Sequence, residues 1–172
     1  SQRESFNHAL EYSIERANEL GRPLIVYFGL TPDYPGANLR HYLFMLDGLR
    51  ETVAGLSRRG IQTVIRIEPP QEGILSLSLD ACLVVTDAGY TRIQKAWRRQ
   101  AARHLGCPLI RVETDVVVPV EETSLKEEYS AATFRPKLLR RLDEFLLPVK
   151  NRTIKKDSLS LRLEKISPDE MA

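Results

Sequence analysis

The sequence predicts an α/β fold, a doubly wound, Rossmann-like open parallel sheet with helices on both faces. Three observations lead there. Helical and strand patterns alternate along the chain. The strand segments are short and apolar on both faces, as in parallel strands covered from both sides. The connections between them are under about 15 residues, which suits compact β-α-β crossovers. With 172 residues, 42% of them hydrophobic, the chain can bury the core of one domain.

The first helix rests on Phe6, Ala9, Leu10, Ile14, Ala17 and Leu20 at helical spacing, with Gly21 as its cap and Pro23 preventing continuation. Leu24 to Phe28 is a buried strand, and Gly29 to Asn38 a turn-rich loop. Leu39, Tyr42, Leu43, Leu46, Leu49, Val53 and Leu56 stripe a second helix that Gly60 stops. Gln62 to Ile67 is the next strand. Pro69-Pro70 opens a short helix over about 71–79, with Leu75 and Leu79 facing inward. Ala81 to Thr86 is a further buried strand. A basic helix follows from Thr91 to His104, ended by Gly106 and Pro108, and then a strand from Leu109 to Val112. Val116 to Val118 continues in extended form, Glu121 to Ala132 is a polar crossover, and Arg135 to Leu147 is a last amphipathic helix. From Pro148 the chain reads as a linker leaving the domain, with an orphan edge-strand pattern over Ser158 to Leu163.

Composition narrows the function. Lys and Arg number 25 against 23 Asp and Glu, so net charge alone does not mark a nucleic-acid or membrane binder. No apolar run approaches the roughly 18 residues of a membrane helix, and the polar start reads as no signal peptide. Cys82 and Cys107 have no zinc spacing; they read as small hydrophobes in a cytoplasmic protein, with one disulfide as the alternative. Phosphate-loop, dinucleotide, nucleophile-elbow and zinc-protease motifs are absent from the sequence. His8, His41 and His104 sit in helical segments beside charges, as surface or capping residues.

In open α/β sheets, ligands bind beyond the carboxyl ends of the strands. Attention therefore falls on Gly29-Leu30-Thr31 and Asp87-Ala88-Gly89-Tyr90. Asp87 is either a ligand contact or an N-terminal cap or turn residue for the basic helix. Tyr90 is either an aromatic wall or a packing residue. Arg92, Lys95, Arg98, Arg99 and Arg103 read first as a solvated face and second as a phosphate-backbone contact.

Particular strings resemble the class II cyclobutane-pyrimidine-dimer photolyases. They are Ser1 to Leu10, then Ala37 to Leu49, and most specifically Asp115 to Val120 followed by Lys126 to Lys137. The similarity runs from Ser1 to about Leu147. The resemblance implies an antenna domain over 1–147 and an interdomain linker over 148–172. The C-terminal helical domain, which in this family carries FAD, binds DNA and splits the dimer, lies outside this sequence, so no residue is carried over for those roles. The antenna domain of the family can hold a light-harvesting chromophore, 8-hydroxy-5-deazaflavin or folate.

For such a chromophore the lining expected on position alone is Arg3, Gly29, Leu30, Asp87, Tyr90 and Arg92, with Arg40 either at the mouth for an anionic tail or capping the second helix. Gly29 would let a loop backbone approach a flat ring. The expected partners are the catalytic domain of the same polypeptide, DNA only through the full-length enzyme, and a second copy through exposed sheet edges. The alternatives are a structural α/β domain bracing the catalytic domain and a small nucleotide-binding domain. The chain also starts where the family's central first strand should have ended. Its loss is expected to leave two unpaired ladders, and truncation of a longer polypeptide is the expected cause.

Overall fold

The computed structural model describes residues 2–164 and 166. The elements are α1 (His8–Leu20), β1 (Ile25–Leu30), α2 (Leu39–Arg58), β2 (Gln62–Ile67), α3 (Pro70–Leu77), β3 (Val84–Asp87), α4 (Arg92–His104), β4 (Leu109–Val112), α5 (Val120–Thr123) and α6 (Ala131–Phe145). The strands form two parallel pairs, β1 with β2 and β3 with β4. These pairs are separate two-stranded sheets.

Capping chemistry sets the helix boundaries. Asn7 accepts from the Leu10 N–H at the start of α1, and Gly21 closes it in the left-handed region at φ 62°. Asn38 with His41, and Thr91 with Gln94, form reciprocal capping boxes on α2 and α4. Leu10, Ile14, Leu56 and Ile61 make the core cluster, with Leu24, Val26 and Ile154 against it. The opposite face of β1 meets α3, because a side chain at Gly29 would lie 2.7 Å from Pro70 Cα. Alternation along β1 therefore puts α1 and α2 on one face and α3 on the other, with α4 packed on α3. This is the doubly wound layering.

Several sequence expectations need correction. Phe6 is 70% exposed and precedes α1 with positive φ, so it is no part of that helix's buried stripe. Leu79 is 84% exposed, since α3 ends at Leu77 and the chain turns there; Ser78 takes the buried position. In α2, Leu39 and Leu43 lie on the exposed side while Leu46, Leu49 and Leu56 are buried. Val116 to Val118 bends and forms no strand, with Val118 buried. Cys82 is exposed, so it does not pack as a core hydrophobe.

The segment expected to leave the domain after Pro148 lies on it. Glu11, 2% exposed, accepts from Arg59 Nη2 and from the Arg152 N–H, both at 2.6 Å. Ser158 is fully buried; its hydroxyl donates to the Leu24 carbonyl (2.5 Å) and accepts from the Gln62 N–H (2.8 Å). Ser158 to Leu163 turns instead of extending as a strand. It covers the β2 edge through Gln62 Nε2 to Leu161 O, Arg66 Nε to Glu164 O and Ile166 N to Ile65 O.

Candidate ligand cleft between the strand pairs

Between β1 and β3 lies a cavity of about 740 Å³, lined by every residue from Leu24 to Thr31 and from Leu83 to Asp87. The facing edges of β1 and β3 have no ladder partner among the described residues. Helices α1, α2, α3 and α4 supply the remaining walls.

Polar and aromatic groups converge at the carboxyl end. Tyr42 Oη lies 2.8 Å from the Thr31 carbonyl and accepts from the Tyr34 N–H at 3.1 Å, which fixes the loop after β1. From the β3 side, Arg98 donates to the Gly89 carbonyl at 3.2 Å. Burial and the charges of Arg111 and Arg99 push the Arg98 guanidinium pKa down. Arg3 donates to the Thr114 carbonyl at 3.0 Å and pairs with Asp115 at 3.7 Å. Thr31 Oγ1 and Gln71 Oε1 are buried with no hydrogen-bond partner among the described residues, and both residues line the cleft. A buried orphan acceptor or hydroxyl costs about 1–3 kcal/mol until it is paired.

Of the residues singled out in the sequence, Arg3, Gly29, Leu30 and Asp87 line the cleft, whereas Arg40, Tyr90 and Arg92 lie outside its lining. Arg40 is exposed on the first turn of α2, and the cleft-lining residue there is His41. Tyr90 is 40% exposed, and Arg92 opens α4 with its side chain exposed. Gly29 is a strand residue and not a loop residue. Its bare Cα admits Pro70 and the Tyr27 hydroxyl, each 2.7 Å from where a Cβ would stand. The turn before α4 is capped by Thr91, so Asp87 is not its cap. Sequence reasoning missed Tyr34, Tyr42 and Trp97. Their signal was available in the chain's single tryptophan and in two tyrosines, one in the loop after β1 and one in the helix that follows it.

Among the described residues no helix is long and apolar enough to cross a membrane, and no group of three or more His, Cys, Asp or Glu is placed to hold a metal ion.

The layering defines a doubly wound α/β domain with a cleft between its two strand pairs. The DNA photolyase family pattern matches residues 1–155, and the chain belongs to that family. It is 53% identical over 161 residues to a deoxyribodipyrimidine photo-lyase of Methanothermobacter thermautotrophicus, covering 94% of this chain and 36% of the relative. It is 32% identical over 149 residues to that of Potorous tridactylus, covering 84% and 28% respectively. The chain thus spans about a third of the length of these relatives. In fold it matches a crystal structure of an archaeal photolyase from Sulfolobus tokodaii with two FAD molecules, at TM-score 0.73 and 14% identity, covering 99% of this chain and 39% of that one.

Proposed function

We propose that this chain is the antenna-chromophore-binding domain of a deoxyribodipyrimidine photolyase, seating a flat heterocycle at the carboxyl-end mouth of the cleft. The observation that carries the reading is the mouth itself. An aromatic pair, Tyr34 and Trp97, lines a cavity whose wall also carries the polar residues Thr31 and Gln71. The aromatic rings offer a stacking wall, and the polar lining offers orientation. The protein positions the chromophore, and the light absorption belongs to the chromophore. No side chain need act as acid or base.

In this reading the whole enzyme repairs ultraviolet-induced pyrimidine dimers in DNA in the cytoplasm. FAD and the DNA surface belong to a catalytic domain of the same polypeptide. Helix α6 and its exit support such docking: α6 has no buried residue, and Leu139 within it and Leu146 and Leu147 just past its end stand 56%, 61% and 66% exposed. Those exposed leucines equally favour a second reading, a domain that only braces its partner.

The test is reconstitution. Purified protein is titrated with 8-hydroxy-5-deazaflavin, a reduced folate or FAD, following chromophore absorbance and Trp97 emission. Stoichiometric binding of one of them with quenching of Trp97 is expected. No binding of any of the three favours the brace.

A further inference from the structure

We infer that Cys82 and Cys107 form a modification site, a dithiol that closes reversibly into an intrachain disulfide on meeting a small-molecule disulfide. The register carries the argument. Val84 pairs with Leu109 at the start of the parallel β3–β4 ladder, and Cys82 and Cys107 each lie two residues before that pair, in the bends that lead into the two strands. The first ladder bond, from the Val84 N–H to the Pro108 carbonyl at 3.0 Å, brings these two lead-in segments side by side. Neighbouring strands lie about 4.8 Å apart. That spacing falls inside the roughly 4.4–6.8 Å between Cα atoms that a disulfide needs.

Two further observations agree. Both cysteines are free thiols, Cys82 exposed and Cys107 half-buried. Burial pushes the Cys107 thiol up, and the charge of Cys82 adds to it, as only near neighbours do.

The chemistry is thiol–disulfide exchange with an oxidised low-molecular-weight thiol such as oxidised glutathione. The accessible Cys82 attacks first as the thiolate, forming a mixed disulfide and releasing one glutathione thiolate. Cys107 then gives up its proton and attacks the Cys82 sulfur, releasing the second. Two protein thiols are oxidised and one glutathione disulfide is reduced to two thiols; the two protons pass to the departing thiolates. The bridge sits at the amino end of β3 and β4, at the end of the cleft away from its carboxyl-end mouth, where Cys82 is among the lining residues.

The full polypeptide is incubated with oxidised glutathione, alkylated and digested with trypsin. Cleavage after Arg66, Arg92, Arg103 and Arg111 isolates the cysteines on peptides 67–92 and 104–111. The expected result is these two peptides joined in monomeric protein, released by reductant, with intact mass lower by about 2 Da. Cys107→Ser is expected to leave a stable glutathione adduct on Cys82. Stable adducts on the unsubstituted protein, two unreacted thiols, or peptides joined only in a dimer would overturn the inference.

Discussion

The rings of Tyr34 and Trp97 meet edge-on, their centroids 6.1 Å apart at 62°. Tyr34 belongs to the loop after β1 and Trp97 to α4, which follows β3, so this contact ties the two strand pairs together at the mouth of the cleft. Such a pair is worth about 0.5–1.5 kcal/mol beyond its buried area. Tyr34→Ala should shift Trp97 emission to the red and weaken chromophore binding roughly three- to tenfold. Fluorescence titration reads both. Unchanged emission and affinity would remove the pair from the site.

Gly29 is a packing requirement. A methyl group there would press on Pro70 Cα and the Tyr27 hydroxyl, each at 2.7 Å. Gly29→Ala should destabilise the fold by about 1–3 kcal/mol, because backbone and ring must both give way. Urea unfolding measures it, and wild-type stability in the variant would contradict the close approach.

Glu11 accepts from both Arg59 and the Arg152 backbone while almost wholly buried. Glu11→Ala strands the partly buried Arg59 guanidinium and should cost about 3 kcal/mol. It should also release the 150–164 segment, seen as faster proteolysis there than elsewhere in the chain. Uniform proteolysis would count against that segment being held by Glu11.

Acid should loosen the approach to α6. Hydrogen bonds from Lys137, then Ser124 and Thr133, hold the Glu128 carboxyl down at about 2, from an ordinary 4.5. A depressed folded value means the stabilisation is complete above the unfolded pKa and disappears as pH falls from 4.5 towards 2. Hydrogen-exchange protection factors in α6 should therefore fall across that window, and Glu128→Gln should abolish that fall. A fall that persists in the variant assigns it to other carboxylates.

The layering was legible because both of its signals are local. Apolar runs such as Gln62 to Ile67 and caps such as Gly21 act over a few residues, and they fall where the sequence placed them. The site was legible only by position along the strands. Gly29 and Asp87 follow from the carboxyl-end rule, whereas Trp97 lies ten residues beyond β3, and its approach to Tyr34 is a tertiary fact. The C-terminal segment misled because its apolar residues are sparse. It is fastened by polar groups, Ser158 and Arg152, whose burial no hydrophobic pattern announces.

That fastening bears on how light energy would travel. Resonance transfer between two dyes depends on both their separation and the angle between their transition dipoles. Asn18 grips Thr153 and Lys155, and Ser158 is locked beneath the start of β1. A strap held at these points would give any domain joined beyond it a fixed launching direction relative to the cleft, so the coupling would be set by rigid chain geometry instead of by a swinging tether.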